Sequence, residues 1–539
     1  GLNQEGFKFT VQNVGKGYGS YSVYLDDDSI SSGQTRIDDK FIRYSLGVNT
    51  DTTGTPTNLT SRKIYSGGLD ASEKDTFTLR LWLNPAVNGD IGGQVFKAKL
   101  RVEVNQQIPT PVADKLLAGV GNNGTIDTTD PEQTFITGTD PNNYIWYSGK
   151  LWRAVSIDPS DNSVKLVTQW NISALPYNAE NNTAFKGSYM EQWLNDTSVD
   201  GFLGNLREPD KFIKTDSTWN ATLTTATTKP EKTTMVTDAV GLLNIYEYTM
   251  SYKNATNSTG YLNNGLIWWT LTPYNTSDVR DVNRSGNGSS SSPAISYGSR
   301  PSINLKSAVK IIDGDGTIDN PYRLQDDNDI PTGALLSTRY SGEYISFGTG
   351  ENNLYRIVSH ENGTGTKITS AIPLKDSGNY KKMAFGSNVT FSKDNTIGTF
   401  LNGDYLTNGT YLTSDQVNMI EDNTTWYLGT VGIGANYKLA KYQDTTGSNL
   451  TLSTATAKVG LLRLGELMAG QFDKDGNNTI YWTLTLYSPS YVRNVTTYGN
   501  GDLSSPAYSI GSRPSMNLKS TVKIVSGTGT KSDPFVISN

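Results

Sequence analysis

The sequence predicts a mainly-β protein, in which an N-terminal antiparallel, jelly-roll-like β-sandwich precedes two β-rich α+β domains. Short blocks of alternating apolar and polar residues fill the first 108 positions, as expected for strands with one buried face. Two long segments of the remaining chain align with each other, which indicates a duplicated domain. With 53 Gly and 30 Tyr among 539 residues, the composition favours short strands and turns over long helices.

Residues 1–108 are assigned to the sandwich because their apolar residues recur with period two. The clearest block has one apolar face formed by Phe96, Ala98, Leu100, Val102 and Val104. Charged residues alternate with that face, so the block is typical of a half-buried strand. Two prolines, Pro109 and Pro111, then end the sheet, and residues 109–130 are predicted to be a linker.

The duplication defines the other domains. The segment that begins at Ile267 aligns without a gap with the segment that begins at Ile480, placing Trp269 on Trp482 and Arg300 on Arg513. We predict a first repeat over 131–324, a linker over 325–334 with acidic, Pro/Gly character, and a second repeat over 335–539.

Within each repeat the patterns indicate strands and two short helices. One helix is predicted at 188–195, with its partner near 396–402. The other is predicted at 237–251, with its partner near 457–470. The WWTLT segment reads as a buried strand, and each repeat closes with a hairpin around a Gly-rich turn.

Composition excludes several classes of function. The absence of Cys excludes disulfides, thiolate metal sites and cysteine nucleophiles, and a single histidine, His360, excludes a multi-histidine metal site. A net charge of −6 without a basic cluster argues against nucleic-acid binding. No apolar stretch approaches the roughly 20 residues that span a bilayer. Because the sequence starts with neither Met nor a signal-like apolar core, we expect a processed extracellular product.

A series of short motifs organises the first repeat: Trp152 to Val155, Trp193 to Asn195, Trp268 to Pro273, Val282 to Gly286, and Arg300 to Leu305. In this order they resemble the C-type-lectin-like surface modules of Gram-positive bacteria, distant relatives of the formylglycine-generating-enzyme fold. The second repeat keeps the later motifs but has Tyr355 and Phe400 for the two early tryptophans. The resemblance implies a C-type-lectin-like fold for both repeats. Formylglycine generation needs cysteine, so that activity is excluded.

The strand pattern of residues 1–108, with FKFTVQN, YSVYLDDD and the long LRLWLN to RVEV segment, resembles the TasA/camelysin group of secreted matrix and fibre proteins. In that group subunits can polymerise by donating a terminal strand to a neighbour's sheet, which uses main-chain pairing at an exposed edge. The resemblance implies that Phe7, Phe9 and Val11 belong to an assembly strand.

Four residues of the aligned segments are candidates for ligand binding: Trp268, Arg280, Tyr481 and Arg493. An arginine fork can clamp a carboxylate or a sugar, and an aromatic ring can stack on a pyranose. The alternative is that these side chains fill the core or bind turn carbonyls. Trp269, Arg300, Trp482 and Arg513 recur in both repeats and are interpreted as structural.

Several carboxylates are candidates for calcium binding or for catalysis. Asp313, Asp315 and Asp319 could supply oxygen ligands, but the second repeat loses most of them; Asp473, Asp475 and Asn477 occur only there. Both loops are interpreted as polar turns, and no metal or cofactor is predicted. Glu191 and Asp196 have no paired counterpart in the second repeat, so a glycosidase is not predicted. His360 is interpreted as a solvated hairpin residue.

These patterns together predict a non-enzymatic extracellular surface protein, a pilus-like fibre subunit or adhesin that assembles through β-strand pairing and displays lectin-like modules. The expected partners are other copies of the chain and a surface glycan or a protein on a host or partner cell, with no nucleic acid and no membrane span. The alternative is a monomeric carbohydrate- or protein-binding module that does not polymerise.

Overall fold

The mainly-β class is confirmed, since strand accounts for 41% of the structure and helix for 11%. The computed structural model describes residues 5–14, 19–50, 56–59, 62–69, 72–84, 91–105, 109–199, 201–253, 255–326, 332–361, 365–428, 437–440, 443–446, 453–470 and 479–539. The chain divides into two compact units. Unit 1 comprises Gly1–Thr110 with Gln325–Asp329, and unit 2 comprises Pro111–Leu324 with Ile330–Asn539.

Unit 1 contains two antiparallel sheets that share one core. The four-stranded sheet has the order Phe7–Gln12, Lys74–Leu83, Ile42–Val48, Thr57–Asn58. The three-stranded sheet has the order Lys63–Leu69, Gly19–Asp27, Ala98–Asn105. The remaining elements are a parallel pair of two-residue strands and one 3₁₀ turn: Thr35–Arg36, Gln94–Val95 and Asp39–Phe41. Buried residues of both sheets form a single cluster, so the two sheets pack face to face as a sandwich.

Unit 2 begins with the first repeat. Its strands are Gly124–Asp130, Gln133–Gly138, Tyr144–Tyr147, Lys150–Ile157, Val164–Thr168, Ser173–Pro176, Thr218–Asn220, Met235–Thr237, Val240–Gly241, Trp268–Pro273, Val279–Val282, Gly288–Ser291, Ser296–Ser299, Ser302–Leu305, Lys310–Asp313 and Tyr322–Leu324. Its helices, the third of them 3₁₀, are Val112–Leu117, Tyr189–Asn195, Leu203–Asn205, Pro209–Phe212 and Ile245–Met250. A further two-residue strand, Thr110–Pro111, lies at the division between the units.

The second repeat also consists of many short strands and a few short helices. Its strands are Tyr344–Ser346, Leu354–Glu361, Gly365–Ser370, Lys375–Asp376, Asn379–Tyr380, Thr424–Leu428, Tyr437–Ala440, Gln443–Thr446, Ser453–Ala457, Val459–Gly460, Tyr481–Ser488, Tyr491–Val495, Gly501–Ser504, Ser515–Leu518, Lys523–Ser526 and Phe535–Ser538. Its helices, the first two of them 3₁₀, are Leu336–Thr338, Gly350–Asn352, Thr396–Asn402, Asp404–Thr407 and Ser414–Met419.

The two repeats share one strand order in their main sheets. In the first repeat the order runs Lys310–Asp313, Tyr322–Leu324, Tyr144–Tyr147, Lys150–Ile157, Val164–Thr168, Ser302–Leu305, Val240–Gly241. In the second it runs Lys523–Ser526, Phe535–Ser538, Tyr344–Ser346, Leu354–Glu361, Gly365–Ser370, Ser515–Leu518, Val459–Gly460. In both, the last strand of the repeat pairs in parallel with an early strand, Ile145 opposite Tyr322 and Ile345 opposite Phe535. The duplication seen in the sequence is therefore a duplication of topology.

Several predicted elements differ from the structure. The helix predicted over 237–251 is only Ile245–Met250, and its partner over 457–470 is the strand Val459–Gly460 followed by turns. The segment predicted as a linker, 109–130, folds into a helix and a strand, and three residues of that helix join the core of the first repeat. Most of the linker predicted over 325–334 lies outside the described residues.

Candidate functional site

The paired motif arginines lie in the interior, where they bind main-chain carbonyls. Arg300 donates from Nε to the Thr168 carbonyl and from Nη1 to the Leu262 carbonyl, both over 2.7 Å. Arg513 donates from Nε to the Ser370 carbonyl over 2.9 Å. Burial lowers the pKa of Arg300 to about 9, so its guanidinium still carries its charge at neutral pH. Each arginine therefore binds the end of the strand that pairs with the strand following it: Val164–Thr168 beside Ser302–Leu305, and Gly365–Ser370 beside Ser515–Leu518.

The motif tryptophans are buried and also bind main-chain carbonyls. Trp269 and Trp482 are buried. Each indole donates from Nε1 to a carbonyl of its own repeat, that of Leu175 over 3.1 Å and that of Met383 over 3.0 Å. A ring that is enclosed and hydrogen-bonded in this way stabilises the core.

Trp268 and Tyr481, predicted to bind ligand, are buried as well. The guanidinium carbon of Arg300 lies 4.7 Å from the centre of the Trp268 ring. The Trp268 ring also packs edge-on against Tyr248. The Tyr481 hydroxyl donates to the Ala469 carbonyl over 2.7 Å. Neither ring presents an exposed face on which a sugar could stack, which corrects the predicted role of both residues.

Arg280 and Arg493, the other two residues predicted to bind ligand, are also buried. Arg280 lies over the ring of Tyr274 at 4.4 Å and donates to the Thr225 carbonyl. Arg493 lies over the ring of Tyr487 at 4.7 Å. The strands that carry these arginines are covered on both faces, so the matching Arg–Tyr pairs are packing contacts and not an open ligand clamp.

Sequence reasoning missed a buried ion pair that occurs in both repeats. In the first, Lys165 binds the Glu247 carboxylate and lies 5.0 Å from the centre of the Trp219 ring. The Trp219 ring lies so close to Gly241 that an added Cβ would meet it at 2.4 Å. The second repeat has the same arrangement at Lys367, Glu466, Trp426 and Gly460. In the sequence, Gly241 and Glu247 align with Gly460 and Glu466, but the lysines and tryptophans lie farther upstream, where the repeats align only with gaps.

The acidic loops do not form a cation site in the described structure. Asp313 accepts from the amide of Gly314 over 2.8 Å, and Asp315 accepts from the amide and hydroxyl of Thr317 over 3.0 and 2.7 Å. These are bonds that stabilise turns. Over the described ranges no group of three or more His, Cys, Asp or Glu side chains could hold a metal ion. Asp473, Asp475 and Asn477 lie outside the described residues.

The other titratable candidates are also held by local contacts. His360 Nδ1 lies 3.0 Å from the Thr366 hydroxyl, and Nε2 contacts the Arg339 carbonyl. His360 is half-buried in the strand Leu354–Glu361, not fully solvated as predicted, and burial lowers its pKa. Glu191 binds Lys186 over 2.6 Å, whereas Asp196 accepts from the amide of Ser198 over 2.8 Å and caps its own turn.

The predicted assembly strand, Phe7–Gln12, lies at the edge of the four-stranded sheet in unit 1. It pairs antiparallel with Lys74–Leu83, which places Phe7 opposite Leu79 and Phe9 opposite Phe77. The Phe9 ring stacks on the Phe77 ring with centroids 4.8 Å apart. Phe7, on the same inner face, is 62% exposed.

One edge strand of the three-stranded sheet, Ala98–Asn105, also carries exposed apolar residues. Val102 and Val104 lie opposite Val23 and Tyr21 in register, so they occupy the same inner face. Val23 and Tyr21 are buried, but Val102 is 41% exposed and Val104 is 65% exposed. We call Phe7, Val102 and Val104 the open edge residues: apolar side chains of the inner face that the sandwich leaves uncovered.

The two repeats meet along a close contact that we call the seam. The turn at Gly149 faces the turn at Gly342, and both glycines have positive φ, +70° and +97°. A Cβ at Gly342 would lie 2.3 Å from the Gly149 carbonyl oxygen, so the main chains approach more closely than a side chain allows. Lys150 crosses the seam to the Ser341 carbonyl over 2.8 Å, and Arg356 crosses it in the other direction to the Gly149 carbonyl over 3.0 Å.

Main-chain bonds and shared core residues reinforce the seam. The Ile267 amide donates to the Tyr498 carbonyl over 2.8 Å, and the Gly470 amide donates to the Ile172 carbonyl over 3.2 Å. The core of the first repeat also includes five residues of the second: Val358, Leu462, Leu467, Met468 and Ala469. The two repeats therefore share a core and form one compact unit instead of two independent domains.

Comparison with protein families gives a match to part of the first repeat. Residues 162–307, within the first repeat, match the family described as a domain of unknown function, DUF6273. Comparison with curated proteins and with solved structures gives no match. Among the described helices, none has the length and apolar character that crossing a membrane requires.

Proposed function

We propose that the protein is a non-enzymatic extracellular surface protein, a pilus-like fibre subunit or adhesin, whose N-terminal sandwich pairs with other copies and whose fused lectin-like repeats are displayed. The observation that supports assembly is the exposure of the open edge residues on two edge strands of the sandwich, one in each sheet. An edge strand presents main-chain donors and acceptors to a further strand, and the apolar side chains beside it gain from being covered.

The two edge strands, Phe7–Gln12 and Ala98–Asn105, have different sequences, and this difference affects whether the assembly is open or closed. We infer that Phe7–Gln12 of one copy pairs with Ala98–Asn105 of the next. A contact between two different surfaces leaves one of each free at the ends of any chain of subunits, so it propagates as an open filament unless the rotation closes a ring.

The motif residues shared by the repeats support a role without catalysis. They bind carbonyls, fill the core or form buried ion pairs, and these contacts account for their retention in both copies. In this proposal recognition of a glycan or a protein resides on surfaces where the two repeats differ.

The decisive experiment is negative-stain microscopy of the full chain with light scattering. We expect filaments from the wild type and at least about a tenfold loss of polymer in the Val102→Lys/Val104→Lys variant, because burying a charged side chain in a strand-to-strand contact is costly. Glu103→Lys is the matched control, since Glu103 lies between these valines on the opposite face; it should still polymerise.

A wild type that stays monomeric, or a double variant that forms the same filaments, would contradict this proposal. A monomeric wild type with saturable glycan binding would favour the alternative module instead. Circular dichroism of both variants checks that the sandwich remains folded.

A further inference from the structure

The direction of the main-chain groups constrains how the two edge strands of the sandwich can pair. In an antiparallel ladder, residues whose amide and carbonyl point toward the partner strand alternate with residues whose groups point away from it. The Asn13 amide donates to the Glu73 carbonyl over 2.9 Å, in register with the ladder between Phe7–Gln12 and Lys74–Leu83. Odd-numbered residues of the first edge strand therefore point toward their own sheet, and the amide and carbonyl of Thr10 point toward the open edge.

On the second edge strand, Ala98–Asn105, the same groups are shifted by one residue relative to the side chains. The Asp28 amide donates to the Lys97 carbonyl over 3.1 Å, in register with the rest of that ladder. The amides and carbonyls of even-numbered residues, such as Val102, therefore point toward the open edge. The side chain of Val102 belongs to the inner, apolar face, whereas that of Thr10 alternates with the inner-face residues and belongs to the outer face.

This shift decides the orientation in which the two edges match. Residues directly opposite each other carry side chains on the same face of a sheet. In an antiparallel pair, residues whose groups point across lie opposite each other. Thr10 would then lie opposite a residue such as Val102, and the two apolar faces would fall on opposite sides of the joined sheet. In a parallel pair, a residue whose groups point across lies opposite one whose groups point away, so the apolar faces join.

We propose that Phe7–Gln12 of one copy pairs in parallel with Ala98–Asn105 of the next, with Phe7 opposite Leu100. This inference rests on the proposed function and adds the orientation and register of the contact. The register pairs all six residues of the first strand and covers each open edge residue. A shift of two residues toward Ala98 would leave Val104 uncovered, and the opposite shift would carry the first strand past the end of the second.

The side chains on both faces fit this register. The inner face joins three pairs of apolar residues: Phe7 with Leu100, Phe9 with Val102, and Val11 with Val104. Aromatic and β-branched side chains stabilise a sheet when they lie opposite each other in this way. On the outer face Lys8 lies opposite Arg101, whose guanidinium already binds the Asp26 carboxylate over 2.5 Å. That ion pair offsets the like charges of the lysine and the arginine.

Introduced cysteines can report this contact directly, because the sequence contains none. Thr10 and Glu103 are both exposed, and the proposed register places them opposite each other, within reach of a disulfide. Within one copy they belong to different sheets, whose layers are about 10 Å apart, so their outer-face side chains cannot be bridged. We expect filaments of Thr10→Cys/Glu103→Cys to give a ladder of covalent multimers on a denaturing gel after mild oxidation.

Thr10→Cys/Lys99→Cys is the matched control, because Lys99 lies on the same face as Glu103 but about 13 Å along the strand. It should form filaments with less than about a tenth of the covalent multimers. Filaments that cross-link equally in both variants, or only through Lys99, would overturn the proposed register and leave the proposed assembly standing.

Two further outcomes separate this inference from the proposed function. A wild type without filaments would contradict both, and so would covalent dimers from Glu103→Cys alone. Such dimers would indicate that two copies of the same edge pair antiparallel, in a closed two-fold contact. If Thr10→Cys/Glu103→Cys does not form filaments, Lys8→Cys/Arg101→Cys tests the same register. Filaments of that variant without multimers would overturn the inference, and so would a loss of filaments in both variants, since all four substitutions lie on the outer face.

Discussion

Replacing Gly342 with alanine should selectively weaken the seam. Gly342 has φ +97°, and its added Cβ would lie 2.3 Å from the Gly149 carbonyl oxygen. That oxygen belongs to main chain, so the clash can be relieved only if the two turns move apart. The movement would lengthen the hydrogen bonds from Lys150 to Ser341 and from Arg356 to Gly149.

The expected cost has three parts. A non-glycine residue in a left-handed conformation costs about 1–2 kcal/mol, and overpacking costs about 1–3 kcal/mol. A hydrogen bond from a charged group contributes about 1.5–3 kcal/mol, and part of that is lost from two such bonds. We therefore expect Gly342→Ala to lower the free energy of unfolding by about 4 kcal/mol.

Urea unfolding of the full chain, followed by tryptophan fluorescence, measures this quantity. Gly378→Ala is the matched control, because Gly378 has φ +82° but nothing lies within 4 Å of its added Cβ. The control should lose only the conformational part, about 1–2 kcal/mol. Equal losses in the two variants would refute the reasoning, since the effect would then come from the backbone conformation and not from the seam.

Two further substitutions test the interior of the first repeat. Gly241→Ala places a Cβ 2.4 Å from the Trp219 ring and should cost about 1–3 kcal/mol in urea unfolding. Gly19→Ala, at a position without positive φ and with only an ordinary contact at 3.7 Å, should change the unfolding free energy by less than about 0.5 kcal/mol. An equal loss in the two variants would contradict the packing argument. Burial raises the pKa of Asp281 to about 6, so its folded state holds a proton more tightly than its unfolded state and stability falls as pH rises from about 4 to above 6. Asp281→Asn, which copies the Asn494 of the second repeat, should remove that dependence and add up to about 3 kcal/mol at pH 7; an unchanged pH profile of the unfolding free energy would contradict this.

Local signals in the sequence explain which helices were predicted correctly. The helices Tyr189–Asn195 and Thr396–Asn402 match their predictions because Ser188 and Asn395 are N-cap residues whose side chains accept from the first turn. The predicted helix at 237–251 is shorter because Asn244 forms a capping box with Glu247 and starts the helix there.

The second copy of that helix illustrates how a duplication can mislead. A helix over 457–470 was predicted by analogy with the first repeat. However, Arg463 occupies the position of the capping residue Asn244, and Gly465 comes two residues later. Without a capping acceptor, and with a glycine in the first turn, a helix start is disfavoured.

The alternation of apolar and polar residues along a strand could not predict that the candidate ligand residues are buried. Alternation separates the faces of a strand but does not tell whether both faces are covered, and Trp268–Pro273 is buried at every position. The seam was equally hidden, because Lys150 and the Ser341 carbonyl are 191 positions apart and no local pattern links them. The likeness of the repeats to lectin-like modules, and of the sandwich to the TasA/camelysin group, stays a prediction.

The parallel pairing of the last strand of each repeat with an early strand has a mechanical consequence. Two parallel neighbours that are pulled from opposite ends slide along each other, so the hydrogen bonds between them are strained together instead of being opened one at a time like a zip. Ile145 beside Tyr322 and Ile345 beside Phe535 give both repeats this geometry, in which tension along the polypeptide acts as shear.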